Sequence, residues 1–262
     1  MNFEKIVDLH CHILPGIDDG SQNLEDSLKL AEEAVQDGVT HILATPHHLD
    51  NRYVNHRRDV ENLVKDFQLE LDDRQIPLKI FPSQEVHING ELIQKYDDLL
   101  GVDLKKKYML LEFPHSSVPA YTEKIIFELL KLGTTPIIVH PERNKAIQNK
   151  TDILYKFIQQ GALAQVTATS YIGGFGNDVA SLSRKLVEHG LVQIVASDAH
   201  TMKNRNFVLS EALLQIGQDF GEQKAMQFEQ NAEDLINGAN VIASNYRKIE
   251  KKKRFFFFWS LY

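Results

Sequence analysis

The stretch LLKLGTTPIIVHPERN, residues 129–144, contains an order of elements that recurs along the chain. A helical end is followed by a glycine, the glycine by a short apolar strand, and the strand by polar side chains. A glycine just past a helix commonly takes the left-handed conformation that closes the last turn, because it has no Cβ to clash. The run after it is apolar on both faces, which is typical of a buried parallel strand.

The same order returns over residues 36–44, 159–166 and 188–196. With three other β-rich runs, it predicts strands at 5–9, 39–44, 78–81, 108–111, 136–139, 162–166 and 191–196. Apolar residues at helical spacing predict helices between them, for example over 24–35 and 60–71, and a helical C-terminal part from residue 207 to about 240. Strands that alternate with helices are typical of βαβ units and a parallel sheet.

Seven such units in a chain of 262 residues predict an α/β fold, and a TIM-like (β/α)7 barrel fits them better than an open doubly wound sheet. No Pro-, Gly- or Ser-rich linker interrupts the series. We therefore expect a single barrel domain over residues 1–246, followed by a basic and aromatic tail over residues 247–262.

Charge is unevenly placed. The net charge is −7, yet residues 247–254 hold six basic residues and one Glu, so the rest of the chain carries −12. A body this acidic repels nucleic acid, and we expect no nucleic-acid partner. The tail, in which a Phe-rich run follows the basic one, is interpreted either as a solvated terminus or as a peripheral contact with anionic lipid.

The location follows from the same features. The Phe-rich run 255–259 is too short to span a bilayer, which needs about 20 residues, and the N-terminus carries no secretory signal. A single cysteine excludes a disulfide framework. We expect a cytoplasmic protein, held at the inner face of the membrane if its tail binds lipid.

Residue types that bind metals follow six of the seven predicted strands. They are His10 and His12, His47 and His48, Glu85, Glu112, His140 and Glu142, and Asp198 and His200. Functional side chains of α/β barrels stand at these carboxyl ends. One such histidine is usually a packing residue, but a whole set of unpaired imidazoles and carboxylates in the interior would cost several kcal/mol. The pattern therefore predicts a cluster of bound cations.

The donor set limits the choice of metal. Imidazole and carboxylate without thiolate favour Zn²⁺, Mn²⁺ or Fe²⁺ over Ca²⁺ and Mg²⁺. The candidates are too many for one ion, and two or three ions sharing carboxylates would use them. Arg143 and Arg205 follow two of the histidines closely. A guanidinium beside metal ions suits a phosphate or carboxylate substrate, although a salt bridge to a carboxylate of the metal site would also explain each arginine.

Two other motifs are given structural interpretations. Cys11 is not read as a phosphatase nucleophile, because a phosphate-binding loop of that type needs an arginine six positions later, where Ile17 stands; we expect it to pack away from the site. The run GGFG at 173–176 lacks the spacing of a dinucleotide fingerprint. It is interpreted as a flexible loop that follows the sixth strand and covers the site.

The metal-binding motifs together resemble a known family. DLHCH at 8–12, ATPH at 44–47, Glu85, HPERN at 140–144 and ASDAH at 196–200 resemble the PHP (polymerase and histidinol phosphatase) superfamily. ILPGIDDG at 13–20 and MLLEF at 109–113 resemble its CpsB/CapC branch, the bacterial manganese-dependent tyrosine-protein phosphatases tied to capsule and exopolysaccharide synthesis. The resemblance covers residues from about 5 to 240.

The resemblance implies a distorted (β/α)7 barrel of the PHP fold that binds Mn²⁺, with Zn²⁺ or Fe²⁺ as alternatives. It assigns His10, His12, Glu85 and Asp198 to one ion, Glu85, Glu112 and His140 to a second, and His47, His200 and Asp19 (rather than Asp18) to a third. It also assigns the phosphate contacts to Arg143 and Arg205.

The implied activity is hydrolysis of phosphotyrosine on an autophosphorylated bacterial tyrosine kinase, which would regulate capsular and exopolysaccharide biosynthesis. Two alternatives stay open at this point. One is a PHP enzyme for a small phosphate monoester such as histidinol phosphate. The other is a metal-stabilised scaffold that docks the kinase through its basic tail and catalyses nothing.

Overall fold

The computed structural model describes residues 5–201, 205, 207–243 and 245–250. Its strands are β1 (Ile6–Cys11), β2 (Val39–Ala44), β3 (His47–His48), β4 (Lys79–Pro82), β5 (Glu85–His87), β6 (Tyr108–Glu112), β7 (Thr135–Val139), β8 (Leu163–Thr167) and β9 (Ile194–Ala196). Its helices are α1 (Leu24–Gln36), α2 (Arg57–Asp73), α3 (Thr122–Lys131), α4 (Lys145–Asn149), α5 (Asp152–Gln160), α6 (Ala168–Ile172), α7 (Asn177–Glu188), α8 (Leu209–Phe220) and α9 (Glu222–Ile236). The predicted alternation of strands and helices is confirmed.

All paired strands run parallel, and they form two sheets. The first has the order β1-β2-β4, and the second has the order β3-β5-β6-β7-β8-β9. The α/β class and the parallel order are therefore confirmed. A closed TIM-like barrel is not confirmed, because strand pairing among the described residues gives two separate sheets.

The division arises just beyond the ends of two predicted strands. Thr45 and Pro46 separate β2 from β3, and Ser83 and Gln84 separate β4 from β5. Proline has no N–H to donate to a ladder, so Pro46 breaks the regular pairing. The short strands β3 and β5 lie beyond these breaks and were not predicted; each begins with a candidate metal ligand.

The strands lie between two apolar clusters, and their successive side chains point alternately into one cluster and the other. This alternation positions the site. Met109 and Leu111 of β6 pack in the larger cluster with the surrounding helices, whereas Leu110 packs in a smaller cluster that includes Leu235 of α9. Successive strand residues point to opposite faces. Glu112 therefore continues the face of Leu110 beyond the end of the small cluster, as Gln165 does for Leu163 in β8. The apolar interior gives way to polar side chains at the carboxyl ends of the strands.

The chain end returns to the body of the protein after α9. Tyr246 and Ile249 pack against the larger apolar cluster, the N–H of Arg247 donates to the carbonyl of His189, and Lys248 Nζ lies 2.8 Å from Asp152 Oδ2. The rest of the predicted tail, residues 251–262, lies outside the described residues. Within the part of the chain that the structure describes, no helix is both long and apolar enough to cross a membrane.

Candidate metal centre

The candidate ligands meet at the carboxyl ends of the strands, as expected from their positions in the sequence. Nε2 of His10 lies 3.2 Å from Nε2 of His12, which confirms that alternate residues at the end of β1 point the same way. Two of the converging residues have left-handed backbone: His140 has a φ of 36° and Asp198 a φ of 50°. Non-glycine residues adopt this conformation at a cost, and such residues concentrate at functional sites.

The potential ligand atoms fall into three sets, and within each set all atoms lie within 4.8 Å of one another. The sets are His12, Asp19, His47 and His200; His10, His12 and Asp198; and His47, Glu85 and Glu112. Glu85 is fully buried at the middle of these sets, with Oε2 at 3.0 Å from Nδ1 of His47 and Oε1 at 2.8 Å from Nε2 of His140. The nine predicted metal-binding side chains thus form one continuous cluster.

Several atoms of this cluster have no hydrogen-bond partner. Oδ1 of Asp19, Nδ1 of His47, Oε2 of Glu85 and Nε2 of His200 are all buried and unpaired. Imidazole nitrogens come within 3.3 Å of the Glu85 and Asp19 oxygens, but they are not aligned to donate to them. Buried polar groups are almost always paired, so four orphaned atoms in one place indicate a ligand. Their chemistry fits divalent cations bound by imidazole and carboxylate.

Burial and neighbouring charges control the ionisation of the cluster. Burial disfavours the charged form of His47, but the negative charge of Glu85 and the contact with Asp19 outweigh burial and raise the pKa of His47 to about 12. At His200, burial and the charge of His12 dominate and lower the pKa to about 4. Burial opposes ionisation of Glu85, yet the neighbouring His10 and His47 hold its pKa well below its usual range. The buried carboxylates of the cluster therefore favour positive charge beside them, which bound cations would supply.

The two adjacent aspartates have different roles. Asp19 Oδ1 lies 3.3 Å from Nε2 of both His47 and His200, so its carboxylate belongs to the cluster. Asp18 lies behind the cluster: its Oδ2 is 2.7 Å from Nδ1 of His12, and its Oδ1 accepts the N–H of Gly20. This geometry agrees with the preference for Asp19 as the ligand.

Two supporting residues were not identified from the sequence. Asp18 was considered only as an alternative ligand, and Gln165 was not considered at all. Oε1 of Gln165 lies 2.9 Å from Nδ1 of His10 and accepts a hydrogen bond from its N–H, which leaves Nε2 of that ring free to bind a metal. Such partners fix the tautomer and orientation of a metal-binding histidine. Only the buried position of Gln165 in an apolar strand could have signalled this role.

Three other side chains considered in the sequence analysis do not join the cluster. His48 is fully buried beside Asp98, 3.9 Å away, and does not join the cluster. Oε1 of Glu142 accepts the N–H of Thr167. Cys11 is buried, with its Sγ 3.8 Å from the carbonyl of Ala199, as expected for a packing residue.

Both predicted arginines contact one carboxylate of the cluster. Arg143 Nη1 is bonded to Oδ2 of Asp198, and Arg205 Nη2 lies 2.8 Å from both oxygens of the same group. Burial would raise the pKa of Asp198, but Arg205, His10 and Arg143 hold it well below its usual range. The salt-bridge alternative is therefore seen here, and it also holds two guanidinium groups at the edge of the cluster.

Comparisons with known proteins agree with this arrangement. The model of the family "Capsular polysaccharide synthesis, CpsB/CapC" matches residues 6–237. The tyrosine-protein phosphatase YwqE of Bacillus subtilis is 37% identical over 97% of this chain and 100% of its own length. CapC of Staphylococcus aureus is 35% identical over 92% of each chain.

A solved structure matches the fold. A chain from the crystal structures of YwqE from Bacillus subtilis and CpsB from Streptococcus pneumoniae, described as unique metal-dependent tyrosine phosphatases, superposes with a TM-score of 0.90. It is 37% identical in sequence, and the match covers 94% of this chain and 100% of that chain.

Proposed function

This chain belongs to the capsular polysaccharide synthesis family CpsB/CapC, and from that premise we propose that it is a manganese-dependent enzyme that removes phosphate from tyrosine on an autophosphorylated bacterial tyrosine kinase. Its class is that of its relatives, the metal-dependent tyrosine-protein phosphatases. The observation that carries the proposal is the cluster of buried, unpaired imidazole and carboxylate atoms flanked by two arginines.

The cluster offers ligands for two or three ions. Our assignment keeps His10, His12, Glu85 and Asp198 for one ion, Glu85, Glu112 and His140 for a second, and Asp19, His47 and His200 for a third. Bound divalent cations would supply Lewis acidity, which activates water and neutralises phosphoryl charge. The histidine-rich donor set suits Mn²⁺ and also Zn²⁺ or Fe²⁺.

The two arginines perform the electrostatic part of the reaction. We assign Arg143 and Arg205 to the phosphoryl oxygens, because a guanidinium donates two parallel hydrogen bonds to such a group. Both are already held in place by Asp198, so little reorganisation is needed when the charge redistributes. Tyrosine has a pKa of about 10 and leaves more readily than a serine alkoxide, so a strong general acid is less necessary.

The biological role rests on the family. A family defined by capsular polysaccharide synthesis supports a part in regulating capsular and exopolysaccharide biosynthesis. A bacterial tyrosine kinase is the substrate that we propose for a tyrosine phosphatase in that process. We assign catalysis to residues 1–246 and a peripheral contact with the inner face of the membrane to the tail 247–262, supported by its basic and aromatic composition. Because Arg247 and Lys248 contact the body of the protein, we assign that contact to the part of the tail after residue 250.

We also infer that the two sheets form one distorted barrel. Ser83 donates its N–H to the carbonyl of Ala44, and Glu85 donates to Pro46, so hydrogen bonds continue across the breaks between the sheets. A parallel bridge between Cys11 and Ala199 supports contact between the first and last strand segments.

The proposal is tested with the purified protein loaded with Mn²⁺. We expect hydrolysis of a phosphotyrosine peptide from the kinase tail to exceed that of the matching phosphoserine peptide and of histidinol phosphate. Elemental analysis of the same sample should give two or three ions per chain. Preference for histidinol phosphate would contradict the proposed substrate, and a metal-loaded protein without turnover would favour a scaffold.

A further inference from the structure

The turn between α6 and α7 holds an aromatic ring against the candidate active site. The guanidinium carbon of Arg143 lies 5.1 Å from the centre of the Phe175 ring, which is the geometry of a cation–π contact. The Nη1 atom of the same guanidinium donates a hydrogen bond to Oδ2 of Asp198. Phe175 therefore stands beside the place where we position the phosphoryl group.

The segment is a short hydrogen-bonded turn that follows α6, whereas we expected a loop directly after the sixth strand. Gly173 and Gly176 have φ angles of 100° and 94°, which an L side chain rarely adopts. The N–H of Gly174 donates to the carbonyl of Thr169 at 2.8 Å, and that of Gly176 to Gly173 at 3.0 Å. A Cβ at Gly174 would lie 2.5 Å from Cγ2 of Thr169, so only glycine fits this close approach. The backbone fixes the residue between these glycines.

Packing in the apolar core does not explain the position of the Phe175 ring. Phe175 is half-buried, and it belongs to neither of the two apolar clusters of the protein. Ligand pockets combine aromatic and apolar side chains with a few polar groups, and Phe175 beside Arg143 provides this combination.

We propose that Phe175 binds the phenyl ring of phosphotyrosine while Arg143 binds its phosphoryl group. The inference rests on the proposed function and concerns how the enzyme selects its substrate. In an aryl phosphate one oxygen joins phosphorus to the ring, so a phosphoryl group at Arg143 brings the ring close to Phe175. Phosphoserine has no ring to place there. An aromatic pair contributes about 0.5–1.5 kcal/mol, which corresponds to about 2- to 10-fold in affinity.

A different role would act through Arg143 alone. If Phe175 only holds the guanidinium in place, its removal weakens binding of every phosphoryl ligand equally. The two roles are separated by comparing a ligand that carries a phenyl ring with one that does not.

The experiment measures binding of phenylphosphonate and methylphosphonate to the manganese-loaded enzyme by calorimetry. We expect Phe175→Ala to lower the preference for phenylphosphonate about 2- to 10-fold while methylphosphonate binds as before. Phe175→Tyr should retain the preference. The matched control is Phe127→Ala, which removes an exposed Phe that also stacks on a cation, Lys131, but on the outer helix α3.

Equal weakening of both ligands, or an unchanged preference, would overturn the inference. Hydrolysis of a phosphotyrosine peptide by the unmodified enzyme is measured in parallel. Turnover together with an unchanged preference overturns the role of Phe175 only, whereas absence of turnover by the metal-loaded enzyme overturns the proposed function itself.

Discussion

Oδ2 of Asp18 lies 2.7 Å from Nδ1 of His12, and this contact turns Nε2 of the same ring toward Glu85, 3.2 Å away. The same aspartate accepts the N–H of Gly20 through Oδ1 and the N–H of His47 through Oδ2. Burial disfavours the charged form of His12, but Asp18 outweighs it and raises the pKa of His12 to about 9. One carboxylate outside the cluster thus orients two of its histidines.

Replacing Asp18 by Asn should therefore weaken metal binding without unfolding the protein. Loss of a carboxylate that orients a metal-binding histidine typically lowers metal affinity about 10- to 100-fold. Competition with a chelator measures the affinity. Asp98→Asn is the matched control, because Asp98 also contacts an imidazole, His56 at 2.6 Å, but outside the cluster. Equal affinities of both variants would show that Asp18 has no orienting role.

Arg143→Ala should reduce turnover of a phosphotyrosine peptide by about 100-fold or more, since the guanidinium would face charge that develops on the phosphoryl group. Metal content, measured by elemental analysis, should stay unchanged. Arg184→Ala serves as control, because Arg184 also lies over an aromatic ring and beside an aspartate, at Tyr171 and Asp219, away from the cluster. Loss of metal from the Arg143 variant would indicate a structural role instead.

Removal of divalent ions should lower the melting temperature as well as abolish activity. The cluster places four carboxylates close together, and their repulsion is relieved by bound cations. An ion present at 100 times its dissociation constant adds about 2.7 kcal/mol to the free energy of unfolding. Scanning calorimetry in chelator and after addition of Mn²⁺ measures this difference. Identical melting curves would mean that the ions bind too weakly to be resident.

Gly20→Ala should destabilise the protein and impair metal binding. A Cβ at this position would lie 2.1 Å from the carbonyl oxygen of His12 and 2.5 Å from its Cβ, so the chain around His12 must shift. We expect a loss of about 2 kcal/mol or more in the free energy of unfolding. Gly90→Ala is the control, because its added Cβ would meet no atom within 4 Å. Denaturant unfolding compares the two, and similar stabilities would refute the steric argument.

Deletion of residues 251–262 should leave peptide hydrolysis unchanged and reduce sedimentation with anionic vesicles. The cut after Glu250 spares Tyr246 and Ile249, which pack against the body of the protein. Each basic residue near an anionic surface is worth about 1 kcal/mol, and the effect should weaken as salt rises. Neutral vesicles provide the control. Unchanged sedimentation would remove the proposed membrane contact.

The sequence predicted the position of the site better than the shape of the sheet. The carboxyl ends of parallel strands lie at one edge, so ligand-type residues at successive strand ends predicted that Glu85, His140 and His200 lie close together. Whether the sheet closes into a barrel depends instead on local breaks such as the one at Pro46. Apolar periodicity does not specify how the strands pair beyond such breaks.

The residues that orient the metal-binding histidines were also harder to predict from the sequence. Asp18 and Gln165 contact histidines that are respectively six and 155 positions away in the chain. Neither contact follows from strand or helix periodicity, because each depends on the direction of one side chain in the folded protein. Phe175 is similar: its glycine neighbours were noticed, but the nearness of Arg143 depends on how α6 and α7 meet the rest of the fold.

The carboxylate of Asp198, which both arginines contact, also affects which anions can bind to these arginines. Both guanidinium groups are engaged before any substrate arrives. A monoanion such as acetate would bring the two arginines no more charge than Asp198 already supplies, and would gain little. A phosphate dianion brings a second charge and a third oxygen, which strengthens its hydrogen bonds to arginine. We therefore expect these ion pairs to favour doubly charged phosphate esters over singly charged solutes at the two arginines.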